Sequence, residues 1–154
     1  MGLRIYVHVG DSASHWLDWR ALFDQAFPHP RFHEMDPDLS APGDVVLAHA
    51  CSDALQSLFF YEDLEDESPA LSDFVRENLP VLLDFHDDRG RASNEIYPED
   101  LLGFARLVLE YLTKEPRAKI DGSTLATLRE ELEALLAFAR FADENVYSVR
   151  WETT

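Results

Sequence analysis

The sequence is poor in several residue types that commonly carry chemistry. It has a single cysteine, Cys51, so no internal disulfide can form, and such sparing use fits a reducing compartment. Its six glycines form neither Gly-x-Gly-x-x-Gly nor Gly-x-x-x-x-Gly-Lys-Ser/Thr, which removes the common phosphate cradles. The first candidate turn has one glycine, Gly10, followed by Asp11, whose charge would repel a phosphate. No lysine precedes Lys114 and no acidic pair follows that turn, which argues against a phosphoacceptor domain. A serine nucleophile would want a Gly-x-Ser-x-Gly elbow, and a zinc protease would want His-Glu-x-x-His. Neither is present.

Cations are scarce as well. Against 30 Asp and Glu stand 13 Lys and Arg, a formal net charge of -17. Such a chain is repelled by phosphate backbones and by anionic lipid surfaces, so neither nucleic acid nor a membrane is expected as partner. No apolar run approaches the roughly 18 residues of a membrane span. Residues 1–5 show neither a basic n-region nor a long apolar core, so a cytoplasmic location is the expectation.

What remains is an ordinary folding sequence. Hydrophobic residues make up 46% of 154, enough for a core despite the charge. Leu3, Ile5, Val7 and Val9 alternate with polar or aromatic residues and predict a strand. Trp16, Trp19, Phe23, Ala26 and Phe27 then recur at helical spacing until Pro28 and Pro30 stop the helix. Residues 31–35 suit a short edge strand. Val45, Val46 and Leu47 form the body of another strand, and Ser52 or Asp53 can cap the short helix that follows. Residues 79–88 open with Pro80 and an apolar run, then flip to Asp84, His86, Asp87 and Asp88. This is the pattern of a buried strand delivering charge at its carboxyl end.

Pro98, Glu99 and Asp100 open an amphipathic helix through Leu101, Phe104, Ala105, Val108 and Leu112. Asp121 caps a long one, with Leu125, Leu128, Leu132, Leu135, Ala139 and Ala142 as its apolar seam. Residues 146–151 alternate again and predict a closing strand. Strands separated by helices imply crossover connections. The expected fold is α/β: a mainly parallel sheet of about four to five strands flanked by helices, with a long amphipathic C-terminal helix. One domain over residues 1–154 is expected, with residues 117–154 as a possible helical arm.

Two functional readings follow. In the first, Phe60 and Tyr61 abut the acidic run Glu62, Asp63, Glu65, Asp66 and Glu67, with Asp87 and Asp88 as a second cluster. Carboxylates steer a basic partner while aromatics anchor it, so these residues form a candidate protein-binding patch. That composition suits a non-enzymatic immunity or inhibitor protein for a basic toxin or nuclease, working without a cofactor as a monomer or weak homodimer. The alternative rests on strand ends. If the strands are parallel neighbours, His8, His49, Asp84, His86 and Asp88 converge and offer metal ligands for a hydrolase. Cys51, at a helix start beside His49, could be activated by the helix N-terminus, although a lone cysteine there is more often simply packed.

Overall fold

The computed structural model describes residues 2–9, 21, 23–27, 30–37, 45–60, 70, 73–74, 77, 95–114 and 125–153. Strand β1 spans Leu3–His8, β2 His33–Pro37, β3 Val45–Ala50, β4 Glu95–Ile96 and β5 Val149–Thr153. Helix α1 covers Asp53–Phe60, α2 Pro98–Lys114 and α3 Leu125–Glu144. A single turn of 3-10 helix, Pro30–Phe32, leads into β2. Residues 79–88, expected as a strand, lie outside the described residues.

The five strands form one sheet in the order β2-β3-β1-β5-β4, so the N-terminal strand is central. Every neighbouring pair is antiparallel. This overturns the expectation of a mainly parallel sheet, and the connections explain why. A parallel pair needs a crossover of a dozen residues or more, and residues 38–44 between β2 and β3 leave no room for one. Between β4 and β5 lie two helices, not one. A single helix returns the chain to the end where a strand began, whereas a helical hairpin brings it back to the end where that strand finished. The next strand must then run the opposite way. Finally β1 and β2, which do share a direction, are kept apart by β3.

Alternation in β1 sorts the two faces. Leu3, Ile5 and Val7 are buried, while Arg4 and Tyr6 are half-buried and His8 is exposed. Register carries the inner face across the sheet through Leu47 and His49 to Met35 and His33. Helix α3 packs on this face with Leu128, Leu132, Leu135, Phe138, Ala139 and Ala142, and α2 adds Leu101, Phe104, Ala105, Val108 and Leu112. The α3 seam is thus buried within its own fold. On the outer face Arg4 reaches Glu152 at 3.0 Å and Glu34 at 3.8 Å, a half-exposed bridge over the small Ala48 and Ala50. The outer face is mixed, with Val46 and Ala48 buried beside the half-buried Arg4 and Tyr6.

Two caps fix the ends of the helices. The Ser52 hydroxyl accepts the Leu55 N–H at 3.3 Å, and its carbonyl accepts Gln56 N–H at 2.9 Å, making Ser52 the N-cap of α1. At the end of α3, Tyr147 N–H donates to Ala142 O at 2.8 Å and Val146 N–H to Asp143 O at 3.2 Å. Those two bonds are a Schellman motif, with Val146 in the left-handed position at φ 58°.

Candidate functional site

The densest polar cluster among the described residues is buried between α3 and the β2–β3 pair. His33 and His49 stand directly opposite each other in the ladder, with ring centroids 4.8 Å apart, edge to face. Five aromatic contacts wall them in. Phe27 lies 4.4 Å from the His33 ring, Phe138 stacks on it at 5.7 Å and Phe23 meets it edge-on at 5.9 Å. Phe32 and Phe138 flank His49 at 6.1 and 6.3 Å. The His33 Nε2–H donates to the carbonyl of Ala134 at 3.1 Å, since a carbonyl can only accept. That bond pins the histidine to α3.

Glu131 is the charged member, 1% exposed. It is placed by the helical period: position 131 follows Leu128 by three and precedes Leu135 by four, so it falls on the apolar stripe of α3. Its carboxylate accepts the Ser52 backbone N–H at 2.8 Å and the Ser52 hydroxyl, and His49 Nε2 approaches within 3.4 Å. Ordinarily a capping box closes when the N3 side chain reaches back to the N-cap N–H. Here N3 is Leu55, and Glu131 supplies that acceptor from another helix. The α1 N-terminus also favours a negative charge. A buried carboxylate costs several kcal/mol unless its oxygens are satisfied, and the two Ser52 bonds serve that end.

The same carboxylate acts on Cys51. Burial pushes the thiol well above its ordinary value, and the nearby Glu131 charge pushes it further. Both causes favour the protonated thiol and work against the thiolate that a helix N-terminus would favour.

No family model, curated protein or solved structure matches this chain.

Serine, carboxylate and histidine are all present, but in an order unsuited to nucleophilic catalysis. The carboxylate lies between Ser52 and His49 and is hydrogen-bonded to the serine, whereas a triad needs the histidine between serine and acid. His49 and Glu131 are also sealed from solvent at 0% and 1% exposure. The arrangement can fix α1 to α3, with His49 of β3 packed against the carboxylate.

The strand-end constellation does not assemble where it can be seen. His8 pairs with Val46 on the outer face and is exposed, whereas His49 pairs with Ile5 on the inner face. Antiparallel pairing also sends the carboxyl ends of β1 and β3 to opposite edges. Among the described residues no group of three His, Cys, Asp or Glu is placed to hold a metal ion. Asp84, His86, Asp87 and Asp88 lie outside the described residues, as do Tyr61, Glu62, Asp63, Glu65, Asp66 and Glu67. Phe60 closes α1. Among the described residues no helix is long and apolar enough to cross a membrane.

Sequence patterning misses His33, Glu131 and the capping role that joins Glu131 to Ser52. One signal was available: a glutamate inside an otherwise apolar seam at positions three and four from leucines must be buried and therefore must have partners.

Proposed function

We propose that this chain is a non-enzymatic acidic binding protein whose partner is a basic protein, acting as a cytoplasmic immunity or inhibitor protein toward a basic toxin or nuclease. The observation that carries this reading is the charge: 30 acidic residues against 13 basic ones, net -17. That excess repels nucleic acid and anionic lipid and attracts a basic protein surface from beyond contact distance. The buried cluster lends support from the other side, because its catalytic-type side chains are committed to holding elements together. Phe60, Tyr61, Glu62, Asp63, Glu65, Asp66, Glu67, Asp87 and Asp88 are the proposed patch.

The test is recovery of partners from the native cell by the wild-type chain and by the triple variant Glu65→Lys, Asp66→Lys, Glu67→Lys. Steering of this kind raises association rates roughly 10 to 1000-fold and fades with salt. The expected result is a basic protein recovered at low salt by wild type and depleted by the variant. Identical recovery by both, at low and high salt, would remove the acidic run from the interface.

A further inference from the structure

Among the described residues the large hydrophobic side chains left exposed are Tyr97, 63% exposed, and Val146, 89% exposed. They come from segments far apart in sequence, yet the strand register places them at one corner. Tyr97 directly follows Ile96, whose ladder partner is Val149, and Val146 lies three residues before Val149. Antiparallel pairing therefore brings both residues out at the same end of the β4–β5 pair, where β4 passes into α2 and α3 passes into β5.

Four exposed or half-exposed carboxylates flank the two residues. Glu99 and Asp100 occupy the first turn of α2, and Asp143 and Glu144 the last turn of α3. Arg150, the nearest base along the ladder, has Glu95 opposite it.

The local chemistry at this corner runs against helix stability three times. Tyr97 accepts the Leu101 N–H at 3.1 Å and so occupies the N-cap of α2, a position that prefers Ser, Thr, Asp or Asn. Val146 takes the left-handed C′ position, which prefers Gly. The last turn of α3 carries two acids and no base, opposite to what its dipole favours. Each choice instead presents an apolar side chain or a negative charge to solvent.

We infer that this corner is a docking surface for a basic protein segment, with Tyr97 and Val146 as the apolar anchors and the carboxylates as the ring that selects lysine or arginine. Charge complementarity names the occupant: an acidic ring repels a second copy of this acidic chain and accepts a cationic partner. The inference rests on the reading of a basic partner proposed above, and it concerns other residues than the 60–67 run.

The experiment titrates the isotope-labelled full chain with a synthetic twelve-residue peptide of alternating lysine and leucine, in about 150 mM salt where distant charges are largely screened. A glutamate–leucine peptide serves as control. Backbone amide shifts should concentrate in residues 95–100 and 143–148, with none from the control. Tyr97→Ser keeps a good N-cap and so preserves α2; it should weaken binding at least about tenfold, the range of an aromatic anchor.

Shifts spread over the whole surface, equal binding by Tyr97→Ser, or no binding would overturn the docking surface. So would concentration-dependent shifts at the corner without peptide, which would make a second copy the occupant. If shifts move to residues 60–67 instead, the corner falls and the basic-partner reading stands. If neither this peptide nor the cell-extract experiment yields binding, both fall.

Discussion

Cys51 and Val146 show how single side chains report on the fold. The folded chain holds the Cys51 thiol protonated, above its ordinary value of 9.0. As pH rises past that value the unfolded chain loses the proton and the folded chain keeps it, so the unfolded state binds fewer protons and folding stability falls. Below it both states are protonated and nothing is lost. We predict a decline approaching about 1.4 kcal/mol per pH unit above pH 9, absent in Cys51→Ala, measured by urea unfolding. A thiol reagent at pH 7.5 should modify the native protein far more slowly than the unfolded one. Val146 gives the opposite kind of prediction. A β-branched residue at φ 58° carries roughly 1–2 kcal/mol of strain that glycine avoids, partly offset by glycine's looser unfolded chain. Val146→Gly should therefore stabilise the protein by about 0.5–1 kcal/mol, read as a higher urea midpoint. No gain would mean that the freedom glycine adds to the unfolded chain cancels the strain it relieves.

Among the elements, Glu131 has the largest predicted effect. Replacing it with leucine suits the helix and the apolar stripe, but it takes the acceptor from the Ser52 N–H and hydroxyl. Glu131→Leu should cost about 3 kcal/mol by chemical denaturation, and Glu131→Gln, which keeps an acceptor, clearly less. Equal costs would show that the charge, not the acceptor, holds α1. The elements themselves were largely legible. Alternation located β1, the Val45–Ala50 strand was readable from Val45, Val46 and Leu47, and the three-and-four spacing of Leu101, Phe104, Ala105 and Val108 located α2. Strand direction was not legible from the same residues. Periodicity says what lies on one face of an element, whereas direction depends on how many helices a connection contains and where it re-enters the sheet. Nor does any pattern in His33 or His49 reveal that they oppose each other, because that is a property of register. The apolar seam of α3 is core, with Leu132 at 0% exposure.

At the scale of the whole molecule, charge and topology dominate. A net charge of -17 repels itself more strongly in the compact state than in the unfolded chain. Moderate salt should then raise the urea midpoint, and a fall would mean that pairs such as Arg4 with Glu152 outweigh the repulsion. Topology has a further consequence for biosynthesis. Strand β1 begins at Leu3, but one of its two neighbours, β5, ends at Thr153. While a ribosome makes the chain, the middle strand of the sheet must wait for nearly all of the rest before its second edge is covered. Until then, of the described strands, a nascent chain can pair only β1, β2 and β3, with one side of β1 open to other chains. Stalled chains that lack residues 149–153 should be cleaved rapidly by protease and should bind holdase chaperones, and release of the complete strand should end both. Protection appearing before β5 emerges would show that the three-stranded half folds alone.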